Sequence, residues 1–159
     1  QSHSAADMLE GLRRLAGDDH RIRFLPPLDY DTVIDRLAEF DAVLVPSQGM
    51  ETGPLVVLES FAAGVPVIGS ALGGISDKIT EGVDGLLVHP YHSIDAWSAA
   101  LARVGADRSL VARLTRGVQA PRAMSEVARA MRGLYEGLGT GVRLDAASLP
   151  APPVVVGSH

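Results

Sequence analysis

The chain alternates short, continuous apolar runs with helical patterns, and this alternation limits the folds that it can adopt. The runs of strand length are 41–46, 65–69 and 86–88, and the segment 21–25, Arg-Ile-Arg-Phe-Leu, also reads as a short strand. Strands that alternate with helices form βα units on a parallel sheet. We therefore predict an α/β domain with a Rossmann-like parallel sheet and flanking helices over residues 5–139, followed by a loose tail over 140–159.

The helices are predicted from apolar residues that recur on one face. The first carries Met8, Leu9, Leu12 and Leu15 and stops at Gly17, and the second carries Val33, Ile34, Leu37 and Phe40. The next two are an apolar helix over 54–63 and a short one from Gly73 to Gly82. A fifth, capped by Ser93, carries Ile94, Trp97, Leu101 and Val104, and the last has an apolar stripe over 124–138.

Composition excludes several classes of function. The net charge is -5 and no basic block is longer than Arg13 and Arg14, so a nucleic-acid-binding surface is not expected. The chain has no cysteine, which excludes disulfides and thiolate metal sites. His89 and His92 have no third ligand in register, so we expect a loop there and no metal site. No run approaches a membrane span or a secretory signal, and we expect a cytoplasmic protein.

The segment 51–59 carries the clearest chemical information. Pro54 suits the start of a helix, where its missing N–H costs nothing. The backbone N–H groups of Leu55 and Val56 would then be free at the positive end of the helix dipole, which is a site for an anion such as a diphosphate.

Two carboxylates flank this predicted helix start. Glu51 precedes the helix and Glu59 lies inside it, and carboxylates are strong acceptors for the hydroxyls of sugars. Such a site suits a molecule that has a sugar, a diphosphate and a ribose in series. From the residues alone, a second reading stays open, in which Glu59 is an ordinary solvated helix residue.

The region 5–106 resembles the family 4 (group 1) retaining glycosyltransferases, whose two-domain architecture is the GT-B fold. Their hallmark is two glutamates separated by seven residues, followed by a strand entry, a Gly-Gly helix start and a further strand. The matching residues are, in order, Glu51, Glu59, Ala63-Gly64-Val65-Pro66-Val67-Ile68, Gly73-Gly74 and Gly85-Leu86-Leu87-Val88. The chain would then be part of the C-terminal, nucleotide-sugar-binding domain.

The resemblance implies a role for each matching residue. Glu51, the catalytic candidate, would contact hydroxyls of the donor sugar, and Glu59 would contact the ribose. The amides near Leu55 and Val56 would hold the diphosphate. The other implied positions are Leu25 and Pro26, which would frame the base, and Gly73 and Gly74, which would keep their loop close to the sugar. The donor would be a UDP- or GDP-linked sugar, with no tightly bound cofactor or metal.

The chain departs from the family pattern at two places. The family has Phe-Gly where this chain has Gly53 and Pro54; proline removes one N–H donor, and Gly53 could compensate by allowing close approach of the backbone. The family's catalytic Gly-Arg and Lys-Gly, its first two strands and its N-terminal acceptor domain have no counterpart. The only lysine, Lys78, comes too late in the sequence and is expected to be a solvated helix residue.

Exposed sheet edges are the expected consequence of those absent strands. We expect pairing with another segment, a homo-oligomer through a sheet edge, or a changed strand order. A peripheral location at the inner membrane is compatible with such a parent protein. The alternatives to a transferase are a non-catalytic nucleotide-sugar-binding or assembly module, and a related epimerase or phosphorylase. An upstream Gly-Arg and Lys-Gly would favour the transferase.

Overall fold

The computed structural model describes residues 5–139, which divide into two units. The first unit ends at Thr32, and the second begins at Val33 and carries the sheet. The segment 140–159, predicted to be a loose tail, lies outside the described residues.

The described part of the first unit contains helix α1, which spans Ala5–Ala16. The predicted stop at Gly17 is confirmed: its φ of 54° is in the left-handed region, which glycine enters without a steric cost. A 3-10 turn, Tyr30–Thr32, ends the unit. The apolar residues that predicted α1 are exposed in this structure, namely Met8, Leu9, Leu12 and Leu15.

The prediction of a strand over 21–25 is wrong. A strand needs a neighbour for its backbone N–H and C=O groups, and within residues 5–139 this segment has no ladder partner. A local ion pair is found there instead, with Arg21 Nη2 2.6 Å from Asp19 Oδ2. Leu25 and Pro26, predicted to lie at the end of a strand, therefore lie in an irregular, exposed segment.

The second unit is built on three parallel strands in the order β1-β2-β3. The strands are Val43–Val45 (β1), Val67–Ser70 (β2) and Gly85–Val88 (β3). Val, Leu and Ile predominate in them, and all four residues of β2 are buried. Such strands are typical of a sheet that is covered on both faces, and the predicted parallel sheet is confirmed.

One face of the sheet is covered by helices α2–α4. Their bounds are Val33–Leu37 (α2), Leu55–Ala62 (α3) and Gly73–Ser76 (α4). Helix α2 packs against α3, and α3 and α4 pack against the strands. The buried residues of this layer are Val45, Val57, Phe61, Val67, Ile75 and Ile79.

The other face is covered by helices α5 (Ile94–Ala106) and α6 (Arg108–Gly117). The predicted cap of α5 is confirmed, because the Ser93 hydroxyl accepts the N–H of Ala96 at 3.2 Å. The buried residues of this layer are Ile68, Leu86, Val88, Leu110 and Leu114. Helix α7 (Met124–Gly139) follows, as predicted, and most of its apolar residues are exposed.

Several details of the predicted helices are wrong. Phe40 lies outside α2, because residues 38–40 continue only as turns, and α4 ends at Ser76, six residues before Gly82. In α5, Ile94 and Leu101 are exposed. The face of α5 that packs on the sheet consists of Ala96, Trp97, Ala100 and Val104, and the two alanines allow the helix to approach the sheet closely.

Helix α6 has no counterpart among the predicted elements, although its sequence carries the signals. The Asp107 carboxylate caps the helix by accepting the N–H groups of Ser109 and Leu110 at 2.9 and 3.0 Å. Leu110 and Leu114, four residues apart, form its buried face.

Candidate functional site

Two loops follow the carboxyl ends of neighbouring strands. The loop 46–54 connects β1 to α3, and the loop 71–72 connects β2 to α4. In parallel α/β sheets, ligands bind beyond the carboxyl ends of the strands, where loops lead into helices. Glu51 and the Gly73-Gly74 pair, which sequence analysis singled out, therefore lie at the edge of the sheet where a site is expected.

Gly73 and Gly74 bring the start of α4 into contact with the β1–α3 loop. The N–H of Gly74 donates to the carbonyl oxygen of Glu51 at 2.7 Å. A Cβ at Gly74 would lie 2.7 Å from that oxygen and 2.8 Å from the carbonyl group of Thr52, so a larger residue cannot occupy this position without a shift of the backbone. Gly73 has a φ of 49°, which also favours glycine. The structure thus brings Glu51, Gly73 and Gly74 together.

The first turn of α3 presents two free amides. Pro54 is the N-cap residue, with φ of -65°, and lies one residue before the first turn in which it was expected. The N–H of Val57 donates to the carbonyl oxygen of Pro54 at 3.3 Å. Within residues 5–139, the N–H groups of Leu55 and Val56 have no hydrogen-bond partner, and no side chain caps the helix. The helix start is therefore open to an anion.

The two glutamates lie at different depths. Glu51 is exposed in the loop, and its Oε1 accepts a hydrogen bond from the Ser47 hydroxyl. Glu59 is half-buried on α3, four residues after Leu55, and its side chain has no hydrogen bond or ion pair within the described part of the chain. A half-buried carboxylate without a partner retains its full capacity to accept hydrogen bonds from a ligand.

The structure gives no support for a site role at the remaining predicted residues. Gly53 is exposed, and a Cβ there would meet nothing within 4 Å, so the structure gives no steric reason for glycine. Leu25 and Pro26 belong to the first unit, whereas the two loops belong to the second. His89 and His92 flank a loop after β3, where the His92 ring packs edge-on against Tyr91.

Ser47 contacts Glu51, and sequence reasoning did not single it out as a candidate. It lies two residues after Val45, at the point where the chain leaves the sheet. The only signal in the sequence is a hydroxyl directly after a predicted strand, which is too common to single out a residue.

None of the helices between residues 5 and 139 combines the length and apolar character that a membrane crossing requires. Across the same residues, no three or more His, Cys, Asp or Glu side chains are grouped so that they could hold a metal ion.

The sheet and its two helical layers define a Rossmann-like α/β domain, and the open helix start lies at the carboxyl edge of its sheet. Residues 4–120 match the family model described as glycosyl transferases group 1. Because this match covers well over half of the chain, the chain belongs to the group 1 glycosyltransferases.

Similar sequences are named as glycosyltransferases. The D-inositol 3-phosphate glycosyltransferase of Actinosynnema mirum is 41% identical over 98 residues, which is 62% of this chain and 23% of that protein. The enzyme of the same name from Nocardia farcinica is 33% identical over 130 residues, which is 82% of this chain and 28% of that protein. The chain spans about a quarter of the length of such curated relatives.

Solved structures share the fold. Sucrose-phosphate synthase from Thermosynechococcus elongatus superposes with a TM-score of 0.71 at 30% identity, over 89% of this chain and 36% of that one. Anabaena Alr3699/HepE, solved in complex with UDP, superposes with a TM-score of 0.67 at 22% identity, over 85% of this chain and 36% of that one. The α/β prediction and its GT-B assignment are confirmed by these similarities.

Proposed function

We propose that the protein to which this chain belongs transfers a sugar from a nucleoside diphosphate sugar to an acceptor, and that this chain holds the donor. The observation that carries the proposal is the open start of α3, where the amides of Leu55 and Val56 are free beside the loop that Gly74 fixes. Family membership agrees with this assignment.

The diphosphate is expected to bind at the two free amides. Backbone N–H groups at the first turn of a helix point along the axis, and the helix dipole adds a partial positive charge there. Pro54 contributes no N–H, so the contact at this position is confined to Leu55 and Val56. During transfer, negative charge accumulates on the leaving diphosphate, and these amides would stabilise part of it.

The two carboxylates would orient the sugar and the ribose. Glu51 lies in the loop ahead of the amides and would accept hydrogen bonds from donor-sugar hydroxyls. Glu59 lies further along α3 and would accept those of the ribose. Hydrogen bonds to a charged acceptor are the stronger kind, so each contact is expected to contribute about 1.5–3 kcal/mol.

Other parts of the reaction are assigned by the family resemblance. Leu25 and Pro26 would frame the base, and an arginine and a lysine upstream would neutralise charge on the leaving group. The acceptor would bind in an N-terminal domain, and transfer would retain the anomeric configuration. Nuclear magnetic resonance of the glycoside at an early time point tests this last expectation, and a product of inverted configuration would contradict it.

Isothermal titration calorimetry with UDP and GDP tests the donor site in the protein at its full natural length. We expect one of the two nucleotides to bind, and Glu59→Ala to weaken its binding by about 10- to 150-fold, the equivalent of about 1.5–3 kcal/mol. Glu39→Ala is the matched control, because Glu39 makes a surface ion pair with Arg36 and such pairs contribute little. Binding of neither nucleotide would refute the proposed function, and unchanged binding by the variant would refute the role of Glu59.

Activity distinguishes the transferase from the alternative of a non-catalytic binding module. If the protein binds the nucleotide sugar but catalyses neither transfer of the sugar nor its slow hydrolysis, the result would support that alternative.

A further inference from the structure

The Glu51 side chain is held by a residue that has no assigned role. The Ser47 hydroxyl donates a hydrogen bond to Glu51 Oε1. Ser47 is half-buried, whereas Glu51 is exposed. The backbone of Glu51 is fixed independently, because its carbonyl oxygen accepts the N–H of Gly74 at 2.7 Å. The carboxylate is thus constrained both through its main chain and through its side chain.

We propose that Ser47 is a positioning residue, which holds the Glu51 carboxylate in the orientation that accepts the hydroxyls of the donor sugar. The inference rests on the proposed function, because it gives Glu51 the sugar contact. It concerns a residue that does not itself need to touch the ligand.

The position of Ser47 suits this task. Val45, the last residue of β1, is buried and paired with Gly69 of β2, so the chain is anchored two residues before Ser47. Serine has a single side-chain torsion between its backbone and its hydroxyl, so an anchored backbone also restricts the oxygen. An exposed glutamate has three such torsions and would otherwise sample several rotamers.

One oxygen of Glu51 is used in this contact, and the other is left for the ligand. A carboxylate offers about four acceptor positions, and Ser47 occupies one of them on Oε1. Oε2 and the remaining lone pair of Oε1 can still accept sugar hydroxyls. Loss of the Ser47 hydroxyl would therefore leave the Glu51 carboxylate present but poorly oriented. Sugar binding would then be weaker, because the entropy cost of ordering the carboxylate would oppose it.

The difference between a nucleotide and its sugar derivative isolates this effect. The test titrates the protein at full natural length with the nucleotide that binds, UDP or GDP, and with its glucose derivative. For Ser47→Ala we expect roughly tenfold weaker binding of the glucose derivative and unchanged binding of the nucleotide. Ser47→Thr, which keeps the hydroxyl, should restore the wild-type affinity. Glu51→Ala should show the same selective loss.

The outcomes separate the inference from the proposed function. If Glu51→Ala weakens sugar binding selectively and Ser47→Ala does not, the positioning role is refuted and the function stands. Equal weakening of nucleotide and sugar derivative by Ser47→Ala would show a general disturbance of the loop and would also refute it. Failure of the wild-type protein to bind any nucleotide would overturn both. Circular dichroism of each variant at the titration temperature verifies that it is folded.

Discussion

At the scale of single residues, the site depends on the close approach of two backbones. Gly74 lies against the carbonyl groups of Glu51 and Thr52, and this contact fixes the loop in front of α3. A side chain at position 74 would separate the two segments, so Gly74 determines where Glu51 lies.

Gly74→Ala tests this dependence. The added methyl group would lie within 2.8 Å of backbone atoms that cannot move cheaply, and we expect a destabilisation of about 1–3 kcal/mol together with weaker nucleotide-sugar binding. Gly49→Ala is the control, because a Cβ at position 49 meets nothing within 4 Å and its φ is not in the left-handed region. Urea denaturation and calorimetry measure the two effects. Equal behaviour of both variants would contradict the packing argument.

Individual site residues could be predicted from the sequence where they lie close to the start of a secondary-structure element. Glu51, Leu55 and Gly73 stand out in the sequence because a proline or paired glycines mark a helix start close to them. Ser47 does not stand out, because its importance comes from a side-chain contact across four residues of loop, and no local pattern encodes that contact. The ligand roles of all these residues remain predictions.

At the scale of elements, helix α6 is stabilised by its N-cap and by its buried leucines. The Asp107 side chain accepts hydrogen bonds from the Ser109 hydroxyl and from two backbone N–H groups. These hydrogen bonds favour the charged carboxylate, and they hold the pKa of Asp107 below its ordinary value.

The pH dependence of stability follows from the direction of this shift. Because the folded-state pKa is lowered, the stabilising contribution of Asp107 is present above its ordinary pKa of about 3.9 and is lost as the pH falls through the folded-state value. Asp107→Asn keeps an N-cap acceptor and does not titrate. We expect the melting temperature of the wild type to fall relative to this variant between pH 5 and pH 2. Parallel melting curves over this range would contradict the assignment.

Leu110 tests the packing of the same helix. It is fully buried between α6 and the sheet, so Leu110→Ala should cost about 2–5 kcal/mol in the free energy of unfolding. Leu101→Ala, at an exposed leucine of α5, should cost much less. Chemical denaturation of the two variants gives the comparison. Similar costs would show that α6 is not packed on the sheet as described.

The elements differ in how well local sequence predicts them. The strands β1–β3 were predictable because continuous Val, Leu and Ile runs are typical of a buried parallel sheet. The segment 21–25, in which Ile, Phe and Leu stand beside two arginines, also reads locally as a strand. It has no ladder partner within residues 5–139, so propensity alone gave the wrong answer there. Ile94 shows the same limit of local prediction, because helical spacing placed it on the apolar face of α5 and its side chain is exposed.

At the scale of the whole molecule, the two edges of the sheet are different. At the β3 edge, the N–H of Leu87 donates to Glu81 Oε2 at 2.5 Å, so a side chain occupies that donor. At the β1 edge, Val43 and Val45 pair with β2, and the backbone groups of Leu44 point away from it. Within residues 33–139, nothing pairs with Leu44. An open strand edge is available to a further strand.

Light scattering on the 159-residue chain tests the consequence of that edge. We expect self-association that increases with concentration, and Leu44→Lys should reduce it, because a charge on an edge strand opposes pairing. Leu101→Lys is the control, because Leu101 is similarly exposed on α5 and lies away from the edge. A stable monomer at all concentrations would contradict the expectation that the β1 edge seeks a partner.

The proposed donor site depends most directly on the two amides at the start of α3. Protein at its full natural length, labelled with ¹⁵N-leucine and ¹⁵N-valine, can be titrated with UDP and with GDP, and the two signals can be assigned through Leu55→Ile and Val56→Ile. We predict that the amides of Leu55 and Val56 shift more than the other labelled amides when the nucleotide binds. A nucleotide that binds and leaves both signals unmoved would show that the diphosphate is held elsewhere.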